Sequence, residues 1–304
     1  MEFFTFSFLI GLSLFLFGLL IGFISPTFGV GGGILAVPIL ILVYNIDVVA
    51  ATATSIGVVL FTTMSGTIAY IREKRIDYRI AFYFSIFAVP GSIIGSLIAQ
   101  LFAKESIDKK YLQIIFAATL TLIAFYNIIK LLLKNQKTEK NKYDVDEDLR
   151  ACEDENLNVS FWKQKRVPRN FCDKRGTVFK YTVKFFPGAL LGFLGGIMGS
   201  LLGLGGGVIF VPVLSVLMGI PAAIAVATST FTILLITPVA VTLRFSSILW
   251  DYVLCLALGS MLSSTIVPRF IGKVKSEYIL TGFWILVILT ATRIFLNVIF
   301  GVNI

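Results

Sequence analysis

Two glycine clusters, each followed by a Thr-Ser pair, are the residues with the clearest chemistry in this sequence. The first is Gly29-Val-Gly31-Gly32-Gly33 with Thr54-Ser55, and the second is Gly203-Leu-Gly205-Gly206-Gly207 with Thr228-Ser229. Glycine lets a backbone approach a ligand closely and take left-handed conformations. Where such a break opens a helix, the free N–H groups and the positive dipole end suit an anion. The hydroxyls of Thr54, Ser55, Thr228 and Ser229 would add donors without adding charge. Arg293 is a further candidate, because it lies well inside an apolar run. An arginine at membrane depth is expensive and marks function by default, with snorkelling or carbonyl pairing as the alternative.

Other chemistries fit poorly. A phosphate-binding P-loop needs Gly-Lys-Ser/Thr after its glycines, but Ile34 and Val208 follow here. A dinucleotide fingerprint needs a soluble βαβ setting. The chain has no histidine, which removes the commonest general base and transition-metal ligand. No cluster of acids replaces it, so neither an enzyme nor a cofactor is expected. Three cysteines, Cys152, Cys172 and Cys255, give no disulfide framework. Any single glycine also reads as a helix-packing residue. The combination of a break, a short helix and a second copy favours a translocation site.

The elements around these residues are membrane spans. Of the 304 residues 57% are hydrophobic and only 14% charged, against about a quarter charged in soluble domains. Mean hydropathy is +0.91. Spans are expected at about Phe3–Ile24, Val48–Ile71, Ile80–Phe102 and Tyr111–Leu133, with a short helix Ile34–Tyr44 after the first break. That helix covers roughly 16 Å, half a bilayer. The first run begins Met1-Glu2 without a basic region and reads as a retained span, not a signal peptide. In the second half the expected spans are about Lys184–Leu201, Ala222–Leu243, Leu249–Phe270 and Tyr278–Phe300, with the short helix Val208–Met218.

The halves are related in sequence. Phe28–Leu40 aligns with Leu202–Leu214 at an offset of 174, with seven of 13 positions identical. The same offset pairs Ala53-Thr54-Ser55 with Ala227-Thr228-Ser229 and Asp77-Tyr78 with Asp251-Tyr252. The fold class is therefore an all-α integral membrane protein of two homologous repeats. Each has about four spanning helices plus a half-helix after its glycine break, about eight spans in all. Residues 1–133 form the first repeat, 134–183 a polar linker and 184–304 the second. If the short helix is re-entrant, the repeats are parallel. If it completes a crossing with the glycine segment, they are inverted. Loop charges lean toward inversion, placing Arg72–Arg79, the linker and Lys273–Lys275 on one side.

Of 26 Lys/Arg, 14 lie between Lys130 and Lys184 beside nine acids. Beside spans this reads as a cytoplasmic loop obeying the positive-inside rule, not a nucleic-acid surface. The Lys134–Lys184 loop is expected to be largely dispensable for folding of the membrane core, its later part resting on the membrane through Phe161, Trp162, Phe171 and Phe179. Arg244 sits near a span end and is expected to snorkel. Asp77 and Asp251 are expected as helix caps.

Two copies of Gly-x-Gly-Gly-Gly-x-x-x-Val-Pro-x-Leu, each followed by Ala-Thr-Ser, resemble the TauE/SafE sulfite exporter family, also called the toluene-sulfonate uptake permeases. The resemblance covers Phe3–Leu133 and Lys184–Phe300. It implies secondary transport of small sulfur-containing or organic anions through seven to nine spans in the cell membrane. The matching positions are Gly29, Gly31, Gly32, Gly33, Pro38, Thr54 and Ser55, with Gly203, Gly205, Gly206, Gly207, Pro212, Thr228 and Ser229. Expected partners are membrane lipid and a small anionic substrate, with no nucleic acid; a homo-oligomer stays open. The alternative is a non-transporting scaffold whose central loop docks a partner.

Overall fold

The computed structural model describes residues 8–104, 145–146, 167–172, 178–183 and 186–266, with isolated positions 114, 118 and 292. The spans expected at Tyr111–Leu133 and Tyr278–Phe300, with Arg293, lie outside the described residues. The first half contains α1 (Phe8–Phe28), α2 (Gly33–Leu42), α3 (Val48–Arg72) and α4 (Tyr78–Lys104). The linker contributes β1 (Val145–Asp146), β2 (Val167–Cys172) and β3 (Val178–Val183), an antiparallel sheet in the order β1-β3-β2. The second half contains α5 (Phe186–Leu201), α6 (Gly207–Pro212) running on as a π-helical turn through Leu217, α7 (Ala222–Leu243) and α8 (Trp250–Ile266). The described part of the membrane region is helical as expected, and the sheet belongs to the linker.

Among the described residues, four helices are long and apolar enough to cross a membrane: α1, α3, most of α4, and α7. This is an integral membrane protein. The helices α5 and α8 are shorter, at 16 and 17 residues. The outer surface is apolar with helical spacing: Leu12, Leu16 and Leu20 on α1, and Leu254, Leu258 and Leu262 on α8, are all exposed. Lipid, not water, is the solvent such faces need. The interior is unusually rich in hydroxyls. Thr52, Thr54, Ser55, Thr62 and Thr63 on α3, with Thr228, Ser229, Thr230 and Thr232 on α7, are buried, and each of these hydroxyls has a hydrogen-bond partner.

Contacts between helices fix their directions. Gly57 of α3 abuts Val253 of α8, and the Thr62 hydroxyl donates to Ser260 at 2.8 Å, so α3 and α8 run parallel. Gly18 and Gly22 of α1 meet Leu256 and Ser260, so α1 joins that group. Gly91 and Gly95 of α4 meet Phe193 and Ile197 of α5, and Tyr78 and Phe82 stack on Phe231 of α7 while Gln100 donates to the Leu243 carbonyl. The second group, α4, α5 and α7, is therefore also internally parallel. The two groups are opposed: Gly66 of α3 faces Thr230 of α7, whereas Thr52 meets Arg244 beyond the other end of α7. We call the end where α3 starts and α7 finishes the first face, and the opposite end the second face. A Cβ at Gly22 would overlap the Ser260 carbonyl, and one at Gly95 the Ile197 carbonyl. Small residues thus bring these backbones together, the usual means of joining helices in lipid.

Three expectations are corrected. The first helix does not stop at Ile24 but continues through Ser25 and Pro26 to Phe28. A proline deprives the helix of one N–H only, and the left-handed glycine Gly29 ends it. Arg244 does not snorkel: it is 1% exposed, because carbonyls at helix ends supply its acceptors inside the protein. The end of the linker also touches the core. Tyr181 and Val183 of β3 are buried, packed with Ile80, Phe84, Met218 and Ile224. Asp251 lies exposed in the first turn of α8 instead of preceding it. Asp77 does cap: its Oδ1 accepts from the Ile80 N–H at 3.2 Å.

Candidate functional site

The two glycine breaks cross each other in the middle of the molecule. α1 climbs past Gly22, level with Thr62 through their shared neighbour Ser260, and reaches Pro26, whose carbonyl accepts from the Tyr70 hydroxyl at 2.5 Å. The chain then turns back. Gly29, Gly31 and Gly32 have φ of 67°, 77° and 88°, and Gly203, Gly205 and Gly206 have 73°, 71° and 84°. These left-handed values suit glycine and strain other residues. α2 descends from Gly33 toward the first face, where the Ser13 and Tyr44 hydroxyls meet at 2.7 Å. The break and α2 together therefore return across the molecule.

Positions 174 apart make the same contacts with roles exchanged. A Cβ at Gly33 would overlap the Gly203 carbonyl, and one at Gly207 the Gly29 carbonyl. Ser55 donates to the Gly203 carbonyl at 2.6 Å, and Ser229 to the Gly29 carbonyl at 3.1 Å. The threonine contacts are alike in kind but shifted by two residues: Thr54 accepts from the Leu249 N–H at 3.1 Å, and Thr228 from the Asp77 N–H at 3.2 Å. At the crossing itself, Gly31 and Gly205 face the same two side chains, Val59 and Ile233, both fully buried. Val59 and Ile233 are themselves 174 apart.

The contacts group Gly33, Ser55 and Gly203 toward the first face and Gly207, Ser229 and Gly29 toward the second, with Gly31 and Gly205 meeting between them. Their donors are not equally available. The Ser55 and Ser229 hydroxyls donate to the opposing breaks, while Thr54 and Thr228 accept from the loops before α8 and α4. The backbone is different. On α2 the first N–H groups to donate are those of Leu35 and Ala36, both to the Gly32 carbonyl, and on α6 those of Ile209 and Phe210, both to Gly206. Among the described residues, the N–H groups of Gly32, Gly33 and Ile34 donate no hydrogen bond, and neither do those of Gly206, Gly207 and Val208. Successive free N–H groups beside left-handed residues form an anion-binding concavity. Buried away from water, unsatisfied groups of this kind cost several kcal/mol each. No group of three or more potential metal ligands occurs among the described residues.

The profile of the family described as "Sulfite exporter TauE/SafE" matches residues 14–294. The chain belongs to the TauE/SafE sulfite exporter family. A similar TauE/SafE-like relative is the "Probable membrane transporter protein YunE" of Bacillus subtilis, 29% identical over 293 residues, covering 93% of this chain and 97% of that protein. The "Probable membrane transporter protein YdhB" of the same bacterium is 30% identical over 143 residues, 47% of this chain and 55% of its own. In Methanocaldococcus jannaschii, "Probable membrane transporter protein MJ0441" is 30% identical over 121 residues, 37% of this chain and 43% of its own. No solved structure matches. Membership in TauE/SafE makes the chain one of a family of membrane transporters.

Sequence reasoning missed Arg244. Its Nη1 donates to the Ser200 carbonyl at 3.2 Å, and its Nη2 to the Val49 carbonyl at 3.0 Å and to Thr52 Oγ1 at 2.8 Å. It also missed Tyr181, whose hydroxyl donates to Asp77 Oδ2 at 2.8 Å. Arg244 carried no signal of its partners, which are backbone carbonyls of Ser200 and Val49 and the Thr52 hydroxyl. Tyr181 carried none beyond its place in a strand-like run.

Proposed function

We propose that this protein is a secondary transporter of a small anion, with sulfite, sulfonates and related organic anions as its substrate class. It works as a multi-pass protein of the cell membrane, its second face cytoplasmic. The observation that carries the reading is the set of six N–H groups at the two crossing breaks, five of them in buried residues, that donate no hydrogen bond among the described residues. The helix ends add partial positive charge without a fixed cation, about 0.3–1 kcal/mol each when exposed and up to about 2 when partly buried. Modest binding suits a carrier that must release its cargo. The backbone geometry supports an anion; the sulfur rests on the family's description.

The two halves act as inverted repeats. The opposed directions of α1 and α5, α3 and α7, and α4 and α8 support this, as does the return crossing made by each break with its short helix. Val59 and Ile233 close the crossing, so access comes from rocking one repeat against the other about that pair. The second face carries the Arg72–Arg79 loop and β3, and α8 ends there, which fits the positive-inside rule.

Binding tests the reading. Purified protein is titrated with sulfite, a sulfonate, sulfate and a carboxylate, and thermal unfolding is followed. A bound anion raises the midpoint in a concentration-dependent way. Thr54→Val and Thr228→Val lower stability through their loop contacts but leave the anion-dependent shift in place, because the donors are backbone groups. Absence of any shift with all four anions would contradict the site.

A further inference from the structure

Arg244 does two jobs where its counterpart does one. It follows the last residue of α7, and Tyr70, 174 positions earlier, lies in the last turns of α3. Tyr70 donates to the Pro26 carbonyl, and Arg244 to the Ser200 carbonyl, again 174 apart. Each therefore ties the end of one helix to the end of the helix before its own glycine break. Arg244 alone reaches further: its Nη2 crosses to Val49 and Thr52, in the opening turns of α3. Among the described residues, Tyr70 makes no such crossing bond. A planar guanidinium can hold acceptors on three elements at once, which neither a phenol nor an ammonium can do as well.

We propose that Arg244 is the latch of the first face, holding α3 of one half against α5 and α7 of the other. The inference rests on the carrier reading for its meaning in transport. Opening the first face parts α3 from the ends of α5 and α7, and the Arg244 bonds to Val49 and Thr52 are the ones that must break. Thr52 extends the latch inward, since its carbonyl accepts from Ser55, which also holds Gly203 of the second break. Movement at Arg244 is thereby passed to the crossing. Tyr70, the offset counterpart at the second face, makes no such crossing bond among the described residues, so substitutions at Arg244 bias the protein toward opening at the first face.

Paired accessibility probes test this. In a background of Cys152→Ser, Cys172→Ser and Cys255→Ser, one probe is Ala53→Cys and the other Ala227→Cys. Both alanines are 0% exposed; Ala53 adjoins Thr52, and Ala227 packs with Tyr70 and Ile76. Labelling by a water-soluble maleimide is timed in proteoliposomes. Arg244→Gln is expected to speed labelling at position 53 on the order of tenfold, the factor one or two lost hydrogen bonds would give, without speeding it at position 227. Thr52→Val gives a smaller change in the same direction, Arg244→Lys an intermediate one, and Tyr70→Phe none at position 53. Equal acceleration at both positions would mean general loosening and overturn the latch, as would no change at position 53. If Arg244→Gln does not fold, Thr52→Val decides by the same two outcomes. The assay needs no substrate, so it can fail while anion binding stands, and the reverse.

Discussion

Alanine at Gly33 is the sharpest structural test of the crossing. The new Cβ would overlap the Gly203 carbonyl oxygen and lie 2.8 Å from the Leu204 Cα and 2.9 Å from its carbonyl carbon. All three obstacles are backbone atoms, so no side-chain rotation relieves them. The opposing break is itself pinned by Ser55. Overpacking in a close-packed interior costs typically about 1–3 kcal/mol, and the backbone collision puts Gly33→Ala at about the upper end of that range. Gly66→Ala is the control on α3, where the nearest atom would be Thr230 Cγ2 at 3.5 Å, an ordinary contact. Removing a helical glycine there is expected to be neutral or stabilising by up to about 1 kcal/mol. Equilibrium unfolding in mixed micelles, followed by circular dichroism, reads both. Gly33→Ala as stable as wild type, or Gly66→Ala the more damaging of the two, would refute the crossing geometry.

Ser55→Ala should destabilise by about 1–3 kcal/mol, because it orphans the buried Gly203 carbonyl, and Ser229→Ala by less, its bond being 3.1 Å against 2.6 Å; the same unfolding assay ranks them. Tyr181→Phe removes a hydrogen bond to the buried Asp77 carboxyl and should cost about 1.5–3 kcal/mol, as bonds to charged groups do. Limited proteolysis of the linker, faster in the variant than in wild type, checks that β3 is released.

Much of the arrangement was legible because membrane physics leaves few choices. Glycine clusters inside apolar runs had to be shielded from lipid, and their repetition at one offset pointed to a shared location. The boundaries of α3 and α7 followed from apolar length. The end of α1 did not, because proline is a weaker terminator within lipid than left-handed glycine at Gly29. The direction of α2 was undecidable from its length and became plain only from contacts such as Gly22 with Ser260 and Gly33 with Gly203. The hydroxyls of Thr54, Ser55, Thr228 and Ser229 were read as open donors, yet each has a protein partner. Ser55 and Ser229 donate to the opposing breaks, and Thr54 and Thr228 accept from loop N–H groups; a sequence shows that a hydroxyl exists, not which partner holds it. Arg244 was misjudged for the same reason: its acceptors are carbonyls at distant helix ends, which leave no mark in composition.

The central claim is that an anion crosses where the glycine breaks meet. Uptake or release of sulfite by proteoliposomes, compared for wild type, Gly32→Val, Gly206→Val and Arg293→Gln, tests it most directly. A Cβ at Gly32 would stand 2.8 Å from Ile21 and one at Gly206 2.7 Å from Phe210, both at left-handed φ, so valine there displaces the neighbouring N–H groups. Flux is expected in wild type and lost in both glycine variants, provided the variants remain folded. Flux untouched by the glycine changes but abolished by Arg293→Gln would put the site elsewhere and contradict the account.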